Sequence, residues 1–381
     1  MLTVSARPNS RQDWIMPPQV EADGPRYCLP AGLSLRIEGR IARLGLHDAR
    51  RGNLLTLSAT KALHATLTVL AGEAAIEAVV LEGEGGLFCS GADLPALYHH
   101  LAEDRNEAAR EFWRQAAALV TTLARLHKPV IALMDGAVIG GGLALGAYAT
   151  YRVVTERTRI SLPQTAVGLV PDMGTSRLLA RAPGGIGAYL GLTGSSISAA
   201  DAIYAGFADG FIASSGLEAL CQNLANASAG SLVAILNAAA TAPGVSSLEA
   251  ASAGLSEAFA QPTVAAISVA LGSRQEPWAR RAESALRTGS PVAMELALGL
   301  IGHGRSLKRI EDGLVAEHRL ICKLIESGEA FEGIAARLIN SERLPHWLAA
   351  RPQDVDAAVL EPFLRPLLPG DELAMAAPLD S

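Results

Sequence analysis

Cysteine is scarce in this chain. The four present, Cys28, Cys89, Cys221 and Cys322, lie so far apart that no pair has the spacing of a zinc site or a redox motif, which fits a reduced, cytoplasmic compartment. The histidines likewise lack partners at metal spacing, so no metal is expected. Basic charge is also short, because 32 Lys and Arg against 38 Asp and Glu leave a net charge of −6. With no local Lys/Arg cluster, nucleic acid is excluded as a partner. The opening MLTVSARPNSRQDWIMPPQVEADG has charges and prolines where a secretion signal needs an apolar core. No Gly-x-Ser-x-Gly elbow occurs. The apolar run Val130 to Tyr151, with Asp135 its one charge, is broken by Asp135, Gly136, Gly140, Gly141, Gly142 and Gly146. It predicts a strand, a turn and a helix buried in a core, and not a membrane span.

What is present is apolar mass: 381 residues, 50% hydrophobic and 18% charged, enough for one large core or two ordinary ones. The chain is organised around residues 130 to 177. Val130 to Met134 has the composition of a buried strand, and Gly140, Gly141 and Gly142 lead into Leu143, Ala144, Leu145, Ala147 and Tyr148, a helix start. Free N–H groups at such a start can hold an oxyanion, and glycine lets a carbonyl approach the backbone. The same residues would also suit a strand packed tightly on a helix, and taken alone they do not separate the two. A second glycine-cornered turn, Gly86-Leu-Phe-Cys-Ser-Gly-Ala-Asp-Leu94, follows a strand at Ala78 to Glu82 and would supply a second donor.

Elsewhere, residues 1–32 read as an extended, proline-bearing arm, and Leu33 to Leu46 as a hairpin turning at Glu38-Gly39-Arg40. Thr56 is a candidate N-cap for a helix carrying Leu63, Leu67 and Leu70. Another helix, from about Asn106, aligns Phe112, Ala116, Leu119, Leu123 and Leu126. Strands at 152–155 and 159–162 continue the alternation, which argues for α/β architecture. The Ala/Ser-rich stretch 214–262 is read as helix or loose connection, and a boundary is placed near residue 225. Beyond it, 226–381 is expected to be mainly helical, with His318 on a helix face. Arg50 and Arg51 suit CoA phosphates or, more commonly, solvent.

FCSGADL and GAVIGGGLALG together resemble the two oxyanion loops of the crotonase (enoyl-CoA hydratase/isomerase) superfamily, and PQTAVGLVPDMG is similar to its next segment. The resemblance implies a crotonase spiral of stacked ββα turns over 33–225. It also implies an acyl-CoA substrate with its thioester oxygen between the N–H groups of Ala92 and Gly141, lining by Asp93, Ala116, Gly140, Gly142 and Ala144, and a homo-oligomer. Coenzyme A would enter as part of the substrate, with no other cofactor. The C-terminal stretch SPVAMELALGLIGHGRSLKRIEDGLVAEHRLICKLIESGEAFEGIAARLINSERLPHW resembles 3-hydroxyisobutyryl-CoA hydrolases of that superfamily.

Departures narrow the chemistry. Hydratases of the family use two glutamates; the matching positions here are Ala144 and Gln164. An amide orients water but cannot take its proton. Asp172, which the resemblance places facing the thioester, is then the catalytic candidate, with a pKa expected to rise near an apolar acyl pocket. Three readings follow: a thioester hydrolase of the 3-hydroxyisobutyryl-CoA type, a hydratase- or isomerase-like reaction using Asp172 alone, and an acyl-CoA-binding protein without turnover.

Overall fold

The computed structural model describes Tyr27, residues 29–368 and residues 370–375. Most of the expected N-terminal arm, with Cys28, lies outside the described residues. The hairpin forms as β1 (Leu33–Glu38) against β2 (Ile41–Leu46), turning at Gly39 with φ 54°. After it, β3 (Ala78–Gly83), β4 (Leu87–Cys89), β5 (Val130–Met134), β6 (Ala137–Ile139), β7 (Tyr151–Val154), β8 (Arg159–Ser161) and β9 (Gly210–Phe211) divide between two sheets. A six-stranded sheet runs β1-β2-β3-β5-β7-β9, parallel from β2 onward, and a three-stranded parallel sheet runs β4-β6-β8. The chain therefore steps from the large sheet to the small one at each of β3–β4, β5–β6 and β7–β8. This is the expected spiral of ββα turns.

The sequence reading missed β4 and β6 as strands. Each is three residues long, too short to show a period of two. The helices that follow are α1 (Leu57–Gly72), α2 (Leu94–Ala102), α3 (Asn106–Arg125), α4 (Gly141–Ala147) and α5 (Thr175–Arg181). Thr56 caps α1 as expected, its hydroxyl accepting from Ala59 N at 3.1 Å. The suspect apolar run 130–151 resolves into β5, β6 and α4, and no helix among the described residues is long and apolar enough to cross a membrane.

Alternation along the strands sorts side chains to two faces. Ala42, Leu44, Val79, Leu81, Ala132 and Met134 enter the main core, while Ile41, Ala78, Val80, Ile131, Leu133 and Val153 face a second cluster. That cluster is closed by Leu220, Leu224, Leu232 and Leu236 of the helices Leu217–Ala225 and Leu232–Ala239. Packing thus runs across the boundary expected near residue 225. The main core continues through the C-terminal helices as far as Leu373. The Ala/Ser-rich stretch is mostly helical, including Ser247–Phe259, and the C-terminal region is mainly helical as expected.

Candidate active site

Two backbone corners meet at the ends of β4 and β6. In the first, Gly91 (φ 79°) accepts from Leu55 N at 2.8 Å, and Asp93 N donates to Leu55 O at 3.3 Å. Pairing with Leu55 on both sides of Ala92 leaves the Ala92 N–H without a partner among the described residues. In the second, Gly140 (φ 53°) donates to Ser161 O at 2.9 Å, and α4 starts at Gly141, whose N–H has no acceptor within its own helix.

The corners are in contact. A Cβ on Gly91 would lie 2.7 Å from Ile139 O and 3.0 Å from Gly141 N, and one on Gly142 would lie 2.2 Å from Cys89 O. Only glycine allows this approach. A cavity of about 70 Å³ opens beside Ala92, walled by Leu55, Leu57, Leu97, Phe112 and Trp113.

Asp172 lies behind these corners, 4% exposed. Its Oδ2 accepts from Trp113 Nε1 and its Oδ1 from Gln164 Nε2, both at 2.9 Å. Burial raises the carboxyl above its ordinary value, and the two N–H donors only partly oppose this. The direction is the expected one. Gln164 is buried too, with its Oε1 unpartnered, and it sits under Gly140, where an added Cβ would be 3.5 Å from Nε2. Met173, next to Asp172, takes a left-handed φ of 55° and lays its Sδ against Gly141. Gln164, Asp172, Gly140, Gly141 and Ala92 are therefore neighbours.

The remaining predicted residues are placed differently. Asp93 lines the cavity, but its Oδ1 also caps α2 by accepting from Ala96 N at 3.1 Å, and its Oδ2 pairs with Arg51 at 2.6 Å. Arg51 is half exposed there and Arg50 is exposed. Ala116 and Ala144 are completely buried in the core and are not part of the cavity wall. His318 packs on its helix with Nε2 at 3.2 Å from Asp371 O, and no metal-binding cluster exists among the described residues.

Sequence reasoning missed two residues. Trp113 was in view within EFWRQAAAL, its indole N–H the only hydrogen-bond donor carried by a ring on that stripe. Glu317, on the helix Ile310–Glu326, accepts from Gly174 N at 2.6 Å, from Ser176 N at 3.1 Å and from the Ser176 hydroxyl. It is 1% exposed, and burial, opposed by those bonds and reinforced by the Asp172 charge, pushes its pKa up to about 8. The available signal was an acidic residue between Leu314 and Ile321 on an apolar helix stripe.

The enoyl-CoA hydratase/isomerase family model matches residues 41–364. A probable 3-hydroxyisobutyryl-CoA hydrolase of Arabidopsis thaliana is 28% identical over 300 residues, 76% of this chain and 79% of that protein. A mouse 3-hydroxyisobutyryl-CoA hydrolase, named as mitochondrial, is 28% identical over 76% of this chain and 77% of its own length. Among solved structures, an enoyl-CoA hydratase from Rhodobacter sphaeroides is 32% identical with a TM-score of 0.85, covering 91% of this chain and all of that one. A carnitinyl-CoA dehydratase from Mycobacterium thermoresistibile is 33% identical with a TM-score of 0.84, covering 91% and 99%.

Proposed function

The chain belongs to the enoyl-CoA hydratase/isomerase family, and from that premise we propose that it hydrolyses a short acyl-CoA thioester, in the manner named for its 3-hydroxyisobutyryl-CoA hydrolase relatives. One observation carries the reading: a buried carboxylate, Asp172, held by two N–H donors beside the amides of Ala92 and Gly141, which have no acceptor among the described residues. Hydrolysis needs one base and one oxyanion site. The substrate carbonyl oxygen accepts from Ala92 N–H and Gly141 N–H. Asp172 takes a proton from water as the water oxygen bonds to the carbonyl carbon, and the two amides hold the resulting oxyanion. When the carbonyl re-forms, the C–S bond breaks, and the thiolate takes the proton from Asp172. A thiol of ordinary pKa about 8.5 leaves readily enough to need no second acid.

Gln164, which cannot hold that proton, fixes Asp172 Oδ1 and offers its free Oε1 to water or to a substrate hydroxyl. Trp113 fixes the other oxygen and forms part of the acyl wall. A cavity of about 70 Å³ suits a short acyl group. A second reading is favoured by the hydratase and dehydratase names of the two similar structures: Asp172 would then move a proton at a substrate carbon with the thioester left intact. One assay separates them. The purified protein is incubated with a panel of acyl-CoAs, including 3-hydroxyisobutyryl-CoA, following free thiol and product mass together. Thiol release supports hydrolysis; a mass change of one water, or an isobaric product with a shifted double bond seen by NMR, without thiol supports the second reading; tight binding with the substrate unchanged marks a non-catalytic acyl-CoA-binding protein.

A further inference from the structure

We infer that Glu317 is a positioning residue for Asp172, clamping the turn 172–176 from the side opposite the cavity. The inference rests on the reading above, in which Asp172 moves the proton. The turn is costly to hold, since Met173 and Gly174 have consecutive left-handed φ values of 55° and 83°, and Met173 is not glycine. The helix it starts, α5, has no side-chain cap of its own, because its N-cap residue is Gly174. Chain geometry demands glycine there, so the caps that Ser or Asp would give are not available.

Glu317 fills that role from a helix more than a hundred residues away. Its Oε2 takes the Gly174 N–H, and its Oε1 takes the N–H and hydroxyl of Ser176. On the other side, Tyr148 Oη donates to Gly174 O at 2.8 Å, while Asp172 O is occupied by Thr175 N and Oγ1 at 2.9 and 2.7 Å. The turn is thereby held through its backbone, leaving both oxygens of the Asp172 carboxylate to Trp113 and Gln164. A carboxyl group is costly to bury unless its oxygens are engaged, and here both are engaged by the residues of this turn. The residues it fixes are Asp172 and Met173, whose Sδ abuts Gly141, so a shift of this turn disturbs both the base and one amide of the opposite corner.

The chemistry of the clamp sets its test. Two separate oxygens accept two separate backbone N–H groups, so an amide at 317 would point its NH2 at one of those donors and lose that bond. In Glu317→Gln, kcat for thiol release from 3-hydroxyisobutyryl-CoA should fall about 10- to 100-fold, the scale of a small misplacement, with KM within about twofold. In parallel, the Trp113 indole N–H resonance, assigned among the four tryptophans by Trp113→Phe, should move, since that proton sits on Asp172. A lowered melting temperature with kcat and the indole resonance both unchanged would overturn the proposal and leave Glu317 a structural cap. If Glu317→Gln does not fold, Ser176→Ala, which deletes one donor to Oε1, takes its place: a moved resonance supports the clamp and an unmoved one overturns it. If the wild-type protein releases no thiol, the hydrolase reading fails, and the indole resonance alone decides the positioning.

Discussion

The two halves of the site are built from different materials. One half is backbone: the corners 90–93 and 139–142 touch through Gly91, Gly141 and Gly142, each just beyond the strand that places it. The other half is side chain: Trp113 reaches Asp172 across 59 residues, and Glu317 reaches the Asp172 turn across 143 and 141. A peptide N–H needs only the right corner to become a donor. An acid–base group needs its proton affinity adjusted, and burial by distant elements does that. The backbone half is accordingly intolerant of size, and the side-chain half of changes in charge and hydrogen bonding.

The sharpest way to break this division is Asp172→Asn. It keeps the shape and removes the titrating group, so thiol release should fall about 100- to 10,000-fold while acyl-CoA affinity, read by calorimetry, is kept. Retained turnover would take the side-chain half out of the chemistry. Gly141→Pro should come next, at about 100- to 1000-fold in rate, since it deletes one donor. Its fold should survive because the new Cβ meets the flexible end of Met173, whose Sδ is 2.4 Å from that position. Gly142→Ala should instead fail to fold or melt far lower, because its Cβ would lie 2.2 Å from the Cys89 carbonyl oxygen. A Gly142→Ala protein that melts like wild type would contradict the contact between the corners.

Gln164→Glu probes the side-chain half more gently. A carboxylate in the place of an amide 2.9 Å from Asp172 Oδ1 keeps that contact only by carrying a proton, and two such groups raise one another's pKa. Because Asp172 must be ionised to act as base, the acid limb of kcat/KM should move to higher pH by about one unit, a roughly tenfold loss below the limb and little above it. An unmoved limb would mean that residue 164 does not touch Asp172 during turnover.

A further test concerns stability and not rate. Burial pushes the Glu317 carboxyl from its ordinary 4.5 up to about 8, so the native state keeps a proton that the unfolded chain loses. Its contribution is full below the unfolded value and is lost as pH rises to about 8, by at most about 1.4 kcal/mol per pH unit. Melting temperatures measured across that interval should fall more steeply for wild type than for Glu317→Gln. Parallel curves would show that the carboxyl is solvated.

Legibility followed the same division. The N-cap at Thr56, the stripe of α3 and the apolar run of β5 are local patterns, and each forms close to where the residues suggest. The glycine corners were visible because a close approach leaves glycine as its trace. Ala116 and Ala144, expected at the substrate, are fully buried, and small apolar side chains fit a core wall as well as a site. Asp93 was expected to face substrate and does line the cavity, yet its cap and its ion pair with Arg51 depend on partners outside its own loop.

By itself, the sequence determined the α/β class and the two glycine corners, since strand and helix periodicity and glycine are local properties. Only the tertiary structure decided which carboxylates are buried and what holds them. Asp172 is raised because the core around it excludes water, against the opposing pull of the Trp113 and Gln164 N–H donors, and Glu317 is buried because a helix from the far end of the chain packs against the same turn. Desolvation is the sum of everything within reach in space, and no stretch of sequence contains that sum.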